Sequence, residues 1–218
     1  MNFSLKKELP TLGITILPLL YLGSVWNSLP ETVPIHWNLE GDIDNWGSKY
    51  ALIGLVFLMP ILTYILMLVV PKIDPKKRIE AMGGKYDQFK FILVAFMSVL
   101  SIFIIYISKN QKLSSPGIIF VLVGILYISL GNYFKVLKQN YFIGIKTPWT
   151  LENEEVWKLT HLLAGKMWVI GGLAVVILSL ILPENINFYC FMGITAIISI
   201  VPIVYSYLIY KKLKNTNQ

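Results

Sequence analysis

Charge is what this sequence has least of. Only 14% of its 218 residues are Asp, Glu, Lys or Arg, against about 25% in soluble globular domains. Cysteine is nearly absent too. The lone Cys190 can close no intrachain disulfide and supplies no cysteine metal cluster; in an apolar run a buried thiol is its ordinary state. There are two histidines, His36 and His161. No Ser-His-Asp set, zinc-helix motif, phosphate-binding glycine loop or nucleotide fingerprint occurs. No fixed-period repeat is present either. Paired acids at Asp42/Asp44 and Glu154/Glu155 have no surroundings that argue for a catalytic pair. These absences exclude a coiled coil and a disordered chain, and they leave a soluble enzyme without support. No cofactor and no metal site is expected.

Apolar sequence fills the space. The chain is 56% hydrophobic, with a mean hydropathy of +0.65. Charge-free runs cover residues 9–30, 50–71, 91–108, 113–134, 167–183 and 185–210, lengths of 17 to 26 residues. A bilayer crossing needs about 20 apolar residues, range roughly 17–25. The predicted fold is therefore all-α, a polytopic membrane protein with six transmembrane helices. The first run follows Lys6 and Lys7 but is too long for a signal core, so it reads as a retained span. Pro18, Pro60 and Pro202 sit near the middle of spans one, two and six and predict kinks. Asn132 is the most polar group within a span and predicts an interhelical hydrogen bond. Spans without charge argue against an ion-coupled pump.

Orientation follows from the basic residues. With Met1 in the cytoplasm, segments 1–10, 71–90, 135–166 and 211–218 hold 16 of the 19 Lys and Arg; Lys49, Lys109 and Lys112 lie on the other side. This asymmetry predicts that both termini lie on the cytoplasmic side of the membrane. The net +7 divides into about +9 inside and −2 outside. Such inner charge is drawn to anionic lipid, and direct nucleic-acid binding is not expected. The chain divides into a helix pair with an outer loop (1–70, loop 29–49), a basic cytoplasmic loop (71–90) and a helix hairpin (91–134). A cytoplasmic loop with an interfacial helix (135–166) and a second hairpin with a basic tail (167–218) complete it.

Two loops carry the functional information. The outer one is rich in turn formers and aromatics; Pro34 stiffens it, and Gly41-Asp42 and Asn45-Trp46-Gly47 predict turns. His36, Asn38, Glu40, Asp42 and Asp44 recur at every second position, which one extended strand would place on one face. That pattern tempts a metal assignment, but Gly41 interrupts it and the calcium-loop spacing is missing. A recognition loop is the better reading, with Pro34, His36, Asn38, Gly41, Asp42, Asp44, Trp46 and Lys49 as its candidate residues. In the inner loop Thr150 is placed to cap a helix starting at Leu151, with Glu152, Glu154 and Glu155 complementing its dipole. Glu154 and Lys158 stand at i,i+4. Trp157, His161, Ala164 and Trp168 share one face, so this helix is expected to run into span five, with His161 packed. His36 and His161 lie on opposite faces of a core about 30 Å thick, so they cannot form one site.

The two loops resemble those of the SdpI family of bacterial immunity and signalling membrane proteins. The stretch from Leu29 to Lys49 is similar to the family's Pro-x-x-x-Pro-x-His-x-Asn-type region. Gly144-Ile145-Lys146-Thr147-Pro148-Trp149-Thr150, then Glu155-x-Trp157, Thr160-His161 and Gly165-Lys166, resemble its second signature. The chain departs from the pattern at Lys146, where Arg is usual, and at Leu162, where a basic residue often stands; Lys146 lacks the planar donor fork of Arg. The resemblance implies an immunity protein that protects against a secreted toxic peptide on the outer face. It also implies a receptor that holds a transcriptional repressor at the cytoplasmic face, with Gly144, Lys146, Thr147, Pro148, Trp149, Thr150, Glu155, Trp157, Thr160, His161, Gly165 and Lys166 as candidates for signalling or docking. The alternatives are a small-solute or peptide exporter and a membrane-interfacial enzyme using His161.

Overall fold

Six apolar segments form six long helices in the computed structural model, which describes residues 4–38, 42–111 and 117–216. Helix α1 is Leu5–Val25, continued by one 3-10 turn at Trp26–Ser28. Helix α2 is Ala51–Ile73, α3 is Gly84–Asn110, and α4 is Gly117–Phe134. A short helix α5, Pro148–Glu152, precedes α6, Glu154–Ile181, and α7, Glu184–Thr216. All but α5 are long and apolar enough to cross a membrane. In a bilayer the helix is favoured because it satisfies every backbone N–H and C=O within its own segment. Pro60 lies in a π-helical stretch, Phe57–Ile61, that interrupts α2, as expected where a proline removes a ladder hydrogen bond. Pro18 and Pro202 lie inside α1 and α7.

The fold is not wholly helical. Strand β1, Thr32–Trp37, pairs antiparallel with β2, Ile43–Ser48. The turns expected at Asn45-Trp46-Gly47 are absent because these residues belong to β2: Pro34 faces Trp46, and Val33 faces Gly47. Register irregularities between Pro34 and His36 and between His36 and Trp37 absorb the proline and bend the ribbon. Two strands alone are marginal in water. Here Val33 is buried against Leu22, Val25, Leu29, Leu52, Val56 and Ile105, so the hairpin is seated on the ends of α1, α2 and α3.

At the opposite end a second apolar cluster joins the two remaining long loops. Ile79 and Met82 from the α2–α3 connection, with Tyr86 in the first turn of α3, meet Phe134, Leu137, Trp157 and Ala164. Arg78 pairs with Glu154 across the same seam. Glu154 thus uses its carboxylate on Arg78 and not on Lys158, the partner four residues along. Helix α6 is continuous from Glu154 to Ile181, so the stretch carrying Trp157 and His161 runs on into span five.

Close helix contact sets the register of the carboxy-terminal half. Helix α4 packs most extensively on α6, and α6 also packs on α7. A Cβ at Gly131 would stand 2.9 Å from the Gly165 carbonyl oxygen, and one at Gly165 would stand 2.8 Å from that of Gly131. Gly124 and Gly172 repeat the arrangement one heptad away, with 3.0 and 2.6 Å to each other's carbonyl oxygens. Small residues at such crossings let backbones touch, so dispersion and weak Cα–H contacts replace the hydrophobic effect that lipid cannot supply. Asn132, beside this contact, is exposed at the open side of the α4–α6 crossing and makes no interhelical hydrogen bond among the described residues.

Gly131→Ala should lower stability by about 1–3 kcal/mol, the usual cost of overpacking. Gly13→Ala, with nothing within 4 Å of the new atom, should be neutral or better. Thermal melts of the detergent-solubilised chain, followed by size-exclusion fluorescence, separate the two.

Candidate functional site

The sequence-predicted residues fall into two groups at opposite ends of the bundle. At the hairpin end, His36 Nδ1 lies 2.5 Å from Asp44 Oδ1 across the strands, with both side chains largely exposed. The every-second-residue pattern is not one extended strand, since the chain reverses between Asn38 and Asp42. Asp42 N–H donates to Asn38 Oδ1 at 2.8 Å, and Asn38 N–H donates to the Asp42 carbonyl at 2.9 Å, closing the reversal. Gly41 and Glu40 lie outside the described residues. Lys49 pairs with Glu31 at 2.8 Å and stands over the Trp26 ring, which ties the base of the hairpin to the end of α1. Pro34 is buried, whereas His36, Asn38, Asp42, Asp44 and Trp46 are exposed with Ile35. The hairpin therefore presents an acidic edge with an indole and an aliphatic side chain beside it. Among the described residues no group of three His, Cys, Asp or Glu is placed to hold a metal.

At the other end most signature residues are buried. Thr147, not Thr150, is the N-cap of α5; its hydroxyl accepts from Thr150 N–H, and the Thr150 hydroxyl accepts from Thr147 N–H. The two threonines form a reciprocal capping box with Pro148 at the first helical position. Asn153 then caps α6 by accepting from the N–H groups of Glu155 and Val156. The expected single helix from Leu151 is thus broken at Asn153. Three capping side chains fall in this stretch: Thr147 and Thr150 close the start of α5, and Asn153, a stronger cap than Thr, starts α6.

His161 is the hub of this end. Its Nε2 accepts from Ile145 N–H at 2.9 Å, so Nδ1 carries the proton and donates to the Trp157 carbonyl at 2.8 Å. The ring is neutral, 1% exposed, and stacked on Trp157 at 4.1 Å. Trp157 in turn donates from Nε1 to the Leu137 carbonyl at 2.8 Å. Gly144, with φ at +114°, is required here: a Cβ would lie 2.5 Å from His161 Nε2. Asn140 pins the same loop by accepting from Phe142 and Ile143 N–H, and Gln139 donates to the carbonyls of Thr150 and Leu151. The Thr147 hydroxyl meets that of Ser206 at 3.0 Å, and Trp149 packs on Tyr207, so α7 closes over the loop. The candidates that reach the surface are Lys146, Pro148, Glu155 and Lys166; Gly144 and Trp149 are half-buried. Thr147, Thr150, Trp157, Thr160, His161 and Gly165 build the fold that displays them.

One buried charge cluster has no counterpart among the residues singled out from the sequence. Lys90 on α3 reaches Glu8 on α1 at 2.6 Å and Asp87 at 3.3 Å, and Tyr64 on α2 donates to Glu8 at 3.1 Å. Lys90 and Glu8 are 1% and 3% exposed. Each flanks an apolar run, where it reads as a solvated helix end, and their separation of 82 residues hides the pairing. The cluster joins three helices through one set of charge-assisted bonds.

Two family models match separate parts of the sequence. Residues 135–206 match the SdpI/YfhL protein family, and residues 13–63 match a domain of unknown function, DUF1648. The Immunity protein SdpI of Bacillus subtilis (strain 168) is 29% identical over 214 residues, covering 97% of this chain and 100% of that protein. No solved structure matches the chain.

His161→Phe keeps the aromatic volume but leaves the Ile145 N–H unpartnered, a cost of about 1–3 kcal/mol. Its melting temperature should fall, whereas that of Lys146→Ala, altered at an exposed position, should not. Equal melting of both variants and the parent chain would contradict a structural role for His161.

Proposed function

We propose that this chain, which belongs to the SdpI family, is a multi-pass membrane immunity protein that protects a bacterial cell from a secreted toxic peptide. The observation that carries the reading is the near full-length similarity to an immunity protein. The geometry is consistent with it. With both termini cytoplasmic, as the 16-to-3 basic asymmetry favours, the hairpin faces the medium at the membrane surface. Its acidic edge complements a cationic peptide, and exposed Trp46 and Ile35 complement an amphipathic one. Aromatic side chains of this kind lose little conformational entropy on binding. The cytoplasmic end, with exposed Lys146, Pro148 and Glu155, offers the face on which a transcriptional repressor is held.

Binding, not turnover, is the activity this arrangement supports. His161, which an interfacial enzyme would use, has both ring nitrogens committed to backbone partners. An exporter would need substrate movement driven by an energy source, and the buried Glu8–Lys90 pair is already mutually neutralised.

Cells expressing the chain should survive a cognate membrane-active peptide that kills cells without it. His36→Ala and Asp44→Ala should reduce survival at matched membrane abundance, because each removes one half of the cross-strand pair. Survival of both variants equal to the parent would remove the hairpin from the recognition surface, and the absence of protection by the parent would refute the immunity reading.

A further inference from the structure

The closest approach of α4 and α6 leaves a groove of about 400 Å³ on the outside of the bundle. Its floor is Gly131 and Gly165, where no side chain stands, and its walls include Leu162 and Ile170. Both are exposed, Ile170 at 68%, and on a membrane-crossing helix that exposure is to acyl chains. The groove is not uniformly apolar. Lys135, one residue beyond the end of α4, and Lys166 on α6 also line it, with Asn132 between the helices. Among the described residues neither lysine is paired with a carboxylate.

Depth follows from the glycine register. Gly131 lies against Gly165, Lys135 follows one by four residues, and Lys166 follows the other by one in the opposite direction. At 1.5 Å per residue the two lysines differ by about 7–8 Å along the bundle. Lys135 therefore lies nearer the end of the bundle, and Lys166 is the deeper of the two. A lysine stem is long and flexible enough to run along apolar surface over that difference, so the Lys166 ammonium can reach toward the level of Lys135.

We propose that the α4–α6 groove is a binding site for an anionic phospholipid, its phosphate held by Lys135 and Lys166 and its acyl chain laid over Gly131, Leu162 and Ile170. Charge complementarity selects this occupant: a zwitterionic lipid would bring its own cation to two unpaired ammonium groups, and a second copy of the chain would bring two more lysines. Basic pockets between membrane helices serve this role in general. The bound lipid would brace the crossing on which the His161 end is built. The site rests on the helices crossing a bilayer and is independent of toxin recognition.

The test uses the full-length chain in nanodiscs of phosphatidylglycerol and phosphatidylcholine, with co-purifying lipid counted by native mass spectrometry. About 1 kcal/mol per lysine corresponds to roughly a thirtyfold preference for phosphatidylglycerol at the site. The preference should collapse in Lys135→Gln/Lys166→Gln and return in Lys135→Arg/Lys166→Arg. It should persist in Lys85→Gln/Lys138→Gln, which loses the same charge at exposed positions outside the groove. Millimolar inorganic phosphate should not displace the lipid. Equal retention of the two lipids by the parent, equal loss in both glutamine variants, or full displacement by phosphate would each overturn the proposal. Unchanged peptide protection alongside lost lipid preference would leave the immunity reading standing.

Discussion

Backbone contact between α4 and α6 at Gly131 and Gly165, repeated at Gly124 and Gly172, is the constraint from which the carboxy-terminal half follows. In lipid there is no hydrophobic gain from pressing two apolar helices together, so shape decides association. Once the two glycine pairs fix the register, the first two turns or so of α6 extend past Phe134. That projection places Trp157 and His161 beyond the membrane edge, where they organise a loop of polar backbone. A loop at this level is tolerated only if its N–H and C=O groups find partners. The chain supplies them from His161, Asn140, Gln139 and the Thr147–Thr150 box.

Burial divides the polar and aromatic chemistry of the two loops into scaffold and surface. At the basic end the side chains with the most distinctive chemistry, an imidazole, an indole and two capping hydroxyls, are turned inward. What remains outside is modest: two exposed lysines, a proline, a glutamate and the Arg78–Glu154 pair. At the hairpin end the division is reversed. Val33 and Pro34 are buried and hold the ribbon, while its histidine, acids and Trp46 face away from the helices. The Glu8–Lys90–Tyr64 cluster gives the amino-terminal helices a single relative position. Charges buried this well are costly to leave unpaired, by about 3–5 kcal/mol, so α1, α2 and α3 are held as one unit beneath the hairpin.

The six crossings were legible because hydrophobic run length is a one-dimensional signal and nothing in tertiary structure competes with it. Proline at position 60 likewise announced the break in α2. Local chemistry was read less well where two solutions were close. Thr147, Thr150 and Asn153 are all capping residues, and the choice among them depends on α7 covering the loop at Ser206. The hairpin was missed because Asn45-Trp46-Gly47 has turn composition; Gly47 instead accommodates Ile35, which would stand 2.9 Å from a Cβ there. The His36–Asp44 contact was half visible, as a spacing without its reversal. The Glu8–Lys90 pair and the facing glycines were invisible in principle. They are relations between distant helices, and no composition or period records them.

Chemical modification of a single outer position in living cells tests the central claim, that the hairpin is the toxin-facing surface, most directly. In a Cys190→Ser background, Trp46→Cys would be treated on intact cells with a membrane-impermeant maleimide and then challenged with the toxic peptide. The account predicts labelling from outside and a loss of protection that tracks the labelled fraction. Labelling only after permeabilisation, or full protection by the fully labelled protein, would contradict it.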